Sequence, residues 1–150
     1  MNLCYPANVR QYGRGTLGLF FPDVPEAATA GKSLAEAIDR APDALVVALS
    51  VYVDEGRAIP SPGRAKRGQP TVCLPPLAAL KLAIHDAMTQ QRITQAGLAE
   101  RLGIDGRQVR RILDLDHESK FSQIEAALAA LGLRASVGVE KIDVENVNEC

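Results

Sequence analysis

The chain has 150 residues, with 17 lysines and arginines against 18 aspartates and glutamates, and its formal net charge is −1 at pH 7. Because the net charge is close to zero, no overall basic field draws the chain to nucleic acid, and any such attraction has to be local. No apolar run approaches the ~20 residues that a membrane span requires, so we predict no membrane association.

The cysteine and histidine positions argue against a metal or cofactor site. The cysteines are scattered without a CxxC pair, and neither histidine has a cysteine at ligand spacing; these residues are Cys4, Cys73, Cys150, His85 and His117. An odd cysteine count without a signal peptide predicts free thiols in a reducing cytosol. Since the first residues are already strand-like, we predict a cytoplasmic protein with no targeting peptide, metal or cofactor.

The N-terminal half begins with short apolar runs. Residues 3–9 and 16–21 are separated by a polar loop that contains two glycines, which predicts a β-hairpin. Pro6 predicts that the first strand lies at an edge or carries a bulge. The chain breaks at residues 21–25, and a third short strand is predicted at 27–30.

A long amphipathic helix follows these strands. Ser33 is a good N-cap, Glu36 completes a capping box, and the helix is predicted to run to about Glu55. One apolar stripe follows it at spacings of three and four, formed by Leu34, Ile38, Ala41, Leu45, Leu49 and Tyr52. Pro42 removes a backbone donor and predicts a kink.

The end of this half looks like a linker followed by one more strand. Residues 57–70 are rich in proline, glycine and basic residues, and residues 71–74 form a last short apolar run. The predicted fold is α+β, with one main helix on a small antiparallel sheet. We predict a first domain over residues 1–62, reaching to about 76, with the linker and last strand at 63–76.

The C-terminal half reads as helices only. One helix is predicted at 77–91, and another begins near Ser119 or Ser122 and buries Phe121, Ile124, Leu128 and Leu131. Residues 134–140 alternate between polar and apolar, which predicts a final strand used for dimer contact. The predicted all-α domain spans 77–139, and residues 140–150 form an acidic tail.

Between those helices, residues 95–112 have the pattern of two short helices joined by a tight turn. Thr94 caps the first helix, Gly103 lies at the turn, and Asp105 caps the second helix with Gln108 three residues later. Apolar residues fall where crossing helices touch, namely Leu98, Ala99, Leu102, Ile104, Val109 and Ile112. An ordinary helical hairpin with a solvated basic face is the alternative to a DNA-binding motif.

This stretch resembles the helix-turn-helix domains of the Cro/repressor type, over about residues 77–133. The similarity rests on residues 94–95, 98–103 and 109–112, and Gly97 departs from it because a helix former is usual there. It implies binding to double-stranded operator DNA as a dimer. We expect base-edge contacts from Arg107, Gln108 and Arg110, a base or phosphate contact from Arg111, and phosphate contacts from Thr94, Gln95 and Lys120.

Residues 21–41 and 54–62 are similar to the signature of HicB-type antitoxins. The matching positions include Phe21-Pro22-Asp23, Pro25, Gly31, Glu36-Ala37, Glu55-Gly56 and Ile59-Pro60, whereas Glu26 and Pro42 depart from the pattern. The resemblance implies a partial RNase H-like fold without nuclease activity. It also implies an antitoxin that neutralises a HicA-type mRNA-cleaving toxin and represses its own operon. Because one DNA-binding module with few arginines would bind weakly, we also expect a dimer or higher homo-oligomer. Pro22 and Asp23 are the candidate toxin-binding residues, although Asp23 also suits an Asx-turn.

Catalysis has little support in the sequence. A two-metal nuclease needs several carboxylates that converge from different strands, and the predicted strands at 3–9, 16–21 and 71–74 contain none. We therefore predict that the chain is not an enzyme, and clustered carboxylates at metal-binding distance would revive the nuclease alternative. The main alternative to an antitoxin is a one-component transcription regulator whose N-terminal domain senses a small ligand.

Overall fold

A computed structural model of the chain describes residues 3–142 and has an α+β fold, as predicted. The strands are Cys4–Pro6 (β1), Asn8–Tyr12 (β2), Thr16–Phe20 (β3), Ala28–Gly31 (β4) and Thr71–Cys73 (β5). The helices are Leu34–Asp54 (α1), Pro76–Gln91 (α2), Gln95–Leu102 (α3), Gly106–Leu113 (α4) and Phe121–Ala130 (α5). No helix in this part of the chain is both long and apolar enough to cross a membrane.

The described residues divide into two compact units. The sheet unit comprises residues 3–48, 60–74 and 137–142, and the helical unit comprises residues 49–59 and 75–136. The division falls within α1. Only residues 140–142 of the predicted acidic tail lie in the described region, and residues 143–150 lie outside it.

The first apolar run forms two strands and not the single strand that we predicted. β1 pairs antiparallel with β5, and β2 pairs antiparallel with β3, which in turn pairs with β4. The change of partner occurs at Ala7, which is fully buried and donates its N–H to Pro70 O at 2.8 Å. This bond continues the register of β1 and β5, whereas the chain from Asn8 onward pairs with β3, so the described sheet unit holds two small sheets.

The core of the sheet unit lies between the three-stranded sheet and the first half of α1. Ala37, Ala41 and Leu45 are completely buried on α1, whereas Ile38 is 37% exposed, so its predicted place in the stripe is wrong. The start of α1 also lies close to β4, because a Cβ at Gly31 would come within 2.7 Å of Ala37 N.

Cys4 and Cys73 form a disulfide, which corrects the prediction that these thiols are free. The two residues lie opposite each other in the β1–β5 ladder, with Cα atoms 3.8 Å apart. Their separation of 69 residues gave no spacing signal in the sequence, because the pairing depends on which strands meet. Cys150 lies outside the described residues.

The helical unit is built around one apolar cluster to which all four of its complete helices contribute. Its buried members include Ile84, Ala87, Met88, Leu98, Val109, Ile112, Leu113, Ile124, Ala127, Leu128 and Leu131. Phe121 was predicted to join them but is 46% exposed, because it begins α5 and lies outside the turn that packs inward. The predicted strand at 134–140 is also wrong. These residues form no strand, and Val139 is 96% exposed.

Candidate functional site

The hairpin of α3 and α4 is fixed at each end by local chemistry. Thr94 Oγ1 accepts a hydrogen bond from Gly97 N at 3.0 Å, and Asp105 Oδ1 accepts one from Gln108 N at 2.8 Å, which confirms both predicted N-caps. Gly103 ends α3 in the left-handed conformation at φ 65°, where glycine carries no steric penalty. The sequence therefore determines the turn geometry locally.

Gly97 departs from the helix-turn-helix pattern for a reason that the geometry makes visible. A Cβ at this position would lie 3.3 Å from Thr94 Oγ1, which is tighter than an ordinary van der Waals contact. A larger residue would crowd the oxygen that accepts the capping hydrogen bond. Glycine lowers the helix propensity at this position, but it leaves space for the Thr94 side chain to cap the helix.

Helix α4 has one buried face and one charged, exposed face. Val109, Ile112 and Leu113 are at most 5% exposed and belong to the core of the helical unit. The side chains of Arg107, Gln108, Arg110 and Arg111 are all exposed. Within residues 3–142, none of these arginines forms an ion pair, so their guanidinium groups are free to meet an external anion.

The other predicted DNA contacts also lie on the surface of the helical unit. Thr94 and Gln95 are exposed at the start of α3, where backbone N–H groups and the helix dipole favour an anion. Lys120 is exposed immediately before α5, and its side chain makes no capping bond. The predicted DNA contacts thus lie on the exposed face of α4, at the start of α3 and at the end of the loop before α5.

Lys81 is a residue that the sequence reasoning missed. It is completely buried on α2, and the three N–H groups of its Nζ are shared among four oxygens, Arg111 O at 3.1 Å, Asp114 O at 2.6 Å, His117 O at 2.5 Å and Ser119 Oγ at 2.9 Å. Burial lowers the pKa of Lys81, and the negative charge of Asp114 opposes this shift. A signal was available, because Lys81 falls four residues after Leu77 and three before Ile84, on the apolar stripe of α2.

His85 links α2 to the end of α4 through a hydrogen bond from its ring. Its Nε2 lies 2.8 Å from Leu113 O, so that nitrogen carries the proton and donates to the carbonyl. Burial lowers the pKa of His85 below 6.5; the hydrogen bond to Leu113 and the charge of Asp54 oppose the shift, whereas the charge of Lys81 adds to it.

We expect the free energy of unfolding to fall as the pH drops below about 6.5, since the unfolded chain then takes up a proton that folded His85 does not. The loss ends once the pH is below the folded pKa, and its slope is at most about 1.4 kcal/mol per pH unit. Urea unfolding at pH 7.5, 6.5 and 5.5 measures it. The variant His85→Gln, which keeps an N–H donor but does not titrate, should show a smaller loss; an identical loss in both proteins would contradict the assignment.

In the sheet unit, Asp23 joins two segments that are far apart in sequence. Its Oδ2 accepts a hydrogen bond from Gly63 N at 2.8 Å, across 40 residues. Three residues before Gly63, Pro60 O accepts a hydrogen bond from the hydroxyl of Tyr5 at 2.7 Å. The carboxylate therefore anchors the start of the linker, and the adjacent Pro22 remains exposed. The hydrogen bond thus brings residues 21–23 close to the end of the segment 59–62; both stretches belong to the signature described in the sequence analysis.

No metal-binding cluster is found in the described part of the chain. Across residues 3–142, no three His, Cys, Asp or Glu side chains lie close enough together to hold an ion. The candidate binding residues lie on two surfaces of different chemistry. One is the basic face of the α3–α4 hairpin, and the other is the loop of Pro22 and Asp23.

Comparison with known proteins gives consistent matches. A family model described as "HicB_like antitoxin of bacterial toxin-antitoxin system" matches residues 4–83. Antitoxin HicB 1 of Photorhabdus laumondii is 34% identical over 139 residues, covering 93% of this chain and 88% of the relative. Antitoxin HicB of Pseudomonas fluorescens is 39% identical over 84% of this chain and 87% of its own length. Antitoxin HicB of Escherichia coli is 32% identical over 89% of this chain and 96% of its own length.

Proposed function

We propose, since this chain belongs to the HicB-like antitoxin family of bacterial toxin–antitoxin systems, that it neutralises a HicA-type mRNA-cleaving toxin and represses its own operon by binding operator DNA. Neutralisation is stoichiometric and not catalytic, because the antitoxin covers the toxin and does not process it. Both partners, the toxin and the operator, place this action in the cytoplasm.

The observation that carries the DNA-binding part is the two-faced character of α4. A helix that buries Val109 and Ile112 while exposing Arg107, Gln108 and Arg110 has the form of a recognition helix in a major groove. Arginine pairs bidentately with guanine and glutamine with adenine, so these three residues read base edges in our proposal.

The remaining contacts position the protein on the DNA backbone. Thr94 and Gln95 meet a phosphate at the start of α3, and Lys120 meets another before α5, whereas Arg111 reaches a base or a phosphate. One such module has few cationic contacts and binds weakly on its own. We therefore propose a homodimer or larger homo-oligomer, with operator half-sites about one helical turn apart.

The sheet unit supplies the toxin-binding surface in this proposal. Pro22 is exposed beside Asp23, whose carboxylate is half-buried and fixed by Gly63 N–H. A ribonuclease that grips RNA presents cationic groups, and a fixed carboxylate next to a rigid proline is complementary to them. We place toxin contact at these two residues, with the predicted domain of residues 1–62, reaching to about 76, as the toxin-binding part.

The test is co-expression of the full chain with the product of the small reading frame next to its gene. We expect a tight complex in which the ribonuclease activity of the toxin is lost. Asp23→Ala, which removes both the charge and the bond to Gly63, should weaken inhibition by about 5- to 30-fold. Asp23→Asn keeps an oxygen that can accept from Gly63 N–H but removes the charge. If the carboxylate makes a direct ionic contact with the toxin, Asp23→Asn should weaken inhibition as well.

Arg107→Ala is the matched control, because it changes the DNA-binding surface and should inhibit the toxin like the wild type. Wild-type inhibition by both Asp23 variants would contradict the placement of the toxin at this loop. Absence of any complex, with operator binding intact, would instead favour a one-component regulator whose N-terminal part senses a ligand.

A further inference from the structure

Lys81 is buried although it carries a charge. Its exposed fraction is 0%, and no other charged side chain among residues 3–142 is buried. Moving an ammonium group out of water is costly unless hydrogen bonds replace its hydration. An apolar residue at this stripe position would fill the same space without that cost, so the bonds of the ammonium indicate a role beyond filling the core.

The partners of Lys81 all belong to the end of α4 or to the loop behind it. Its Nζ is within hydrogen-bonding distance of Arg111 O in the last turn of α4, of Asp114 O and His117 O in the loop, and of Ser119 Oγ. Ser119 in turn donates to Arg111 O at 3.2 Å, which closes the network. The last carbonyls of a helix lack partners and carry partial negative charge, so a buried cation matches them.

The network lies between two groups of proposed DNA contacts. Arg110 and Arg111 precede it on the last turn of α4, and Lys120 follows Ser119 directly. Residues 114–119 contain no helix or strand, although His117 N–H bonds to Asp114 O within the loop. The ammonium group contacts both ends of this loop, and the bond from Ser119 Oγ to Arg111 O joins the same two ends.

We infer that Lys81 is a positioning residue for operator binding, and that its ammonium holds the end of α4 and residues 114–119 so that Arg110, Arg111 and Lys120 contact DNA together. The inference rests on the proposed DNA binding and assigns to Lys81 no contact with DNA. Removing the ammonium takes the lysine donor from partly buried bonds to Asp114 O and His117 O, so we expect the loop to open and these carbonyls to bond to water. Lys120 is then no longer held at a fixed position relative to α4.

The test compares Lys81→Met in the full chain with Ile84→Val, which trims the same face of α2 without touching the network. Amide hydrogen exchange is followed over residues 111–120, and affinity is measured for a DNA fragment from upstream of the chain's own gene. We expect Lys81→Met to raise exchange at residues 114–119 and to lower affinity by about tenfold or more, the size of one or two lost contacts. Ile84→Val should leave both quantities near wild type.

A rescue variant separates positioning from bulk stability. Lys81→Arg keeps a cation with several donors, so it should recover more operator affinity than Lys81→Met at a temperature where both variants are fully folded. Recovery supports the inference. Equal affinities in the Met and Arg variants, or wild-type affinity in Lys81→Met, would overturn it.

Two further outcomes distinguish this inference from the proposed function. If the wild-type chain does not bind the fragment, the proposed DNA binding fails and the inference fails with it; if the wild type binds and Lys81→Met binds equally well, only the inference fails. Should Lys81→Met not fold, Ser119→Ala takes its place, because it removes one acceptor of the ammonium and the bond to Arg111 O that closes the network, and leaves the charge. A several-fold loss of affinity then supports the inference, and wild-type affinity contradicts it.

Discussion

Arg107→Ala and Arg110→Ala are each expected to lower operator affinity by about 1–3 kcal/mol while leaving inhibition of the toxin intact. Both guanidinium groups are exposed on α4 without an ion pair in the described part of the chain, so truncation removes a DNA contact and no internal one. Titration of each variant against the upstream DNA fragment at one fixed salt concentration measures the loss. Competition with fragments changed at single base pairs should show relaxed discrimination at one position per variant.

The control for these variants is Arg10→Ala on β2, which makes the same change in net charge on the sheet unit. It should bind operator DNA like the wild type, because the attraction in our proposal comes from the face of α4 and not from the whole molecule. Equal binding by the wild type and both α4 variants would contradict the recognition-helix assignment. Equal losses in all three variants would instead indicate a non-specific charge effect.

Removal of the Cys4–Cys73 disulfide is expected to lower the free energy of unfolding of the sheet unit by about 4 kcal/mol. The bond joins residues 69 positions apart, and such a link reduces the conformational freedom of the unfolded chain most when the closed loop is long. Urea unfolding with and without reductant, followed by circular dichroism, measures the difference. A shift of the midpoint to lower urea concentration is the expected result.

A Cys150→Ser background removes the third thiol from this experiment, so that only the β1–β5 pair responds to reductant. In that background the double variant Cys4→Ser/Cys73→Ser should unfold like the reduced protein and ignore reductant. Two alkylatable thiols in the unreduced Cys150→Ser chain, together with an unchanged midpoint on reduction, would contradict the disulfide.

The features that could be predicted from the sequence are those that short-range chemistry determines. The caps at Thr94 and Asp105 and the turn at Gly103 depend on residues within three or four positions, and the structure has them where the sequence places them. The α+β class and the long helix after Ser33 follow from apolar periodicity in the same way. Local signals were sufficient for these elements.

The features that the sequence did not reveal depend on which distant segments meet. The division of the first run at Ala7, the disulfide and the bond from Gly63 N to Asp23 all join residues far apart in the chain. A pattern of single residues contains no information about such pairings. The acceptors of Lys81 are also distant in sequence, being three backbone carbonyls 30 to 36 residues away and the Ser119 hydroxyl 38 residues away.

The errors at the C-terminal end came from relying on alternation and apolarity alone. Phe121 is apolar but begins α5, where the first turn faces solvent, and residues 134–140 alternate without a neighbouring strand to pair with in the described chain. A strand is stable only with a partner ladder, so alternation by itself is a weak predictor. Burial patterns identify faces only after the packing partner is known.

The pairing of β1 with β5 also determines when the sheet unit can be completed during synthesis. β1 ends at Pro6, but its ladder partner begins at Thr71, so the ribosome adds more than sixty residues before the first strand can be paired. Domains fold as units during synthesis, from the N-terminus onward. A nascent chain that stops within the linker therefore carries an unpaired first strand, and messages broken before the codon for Thr71 yield no complete sheet unit.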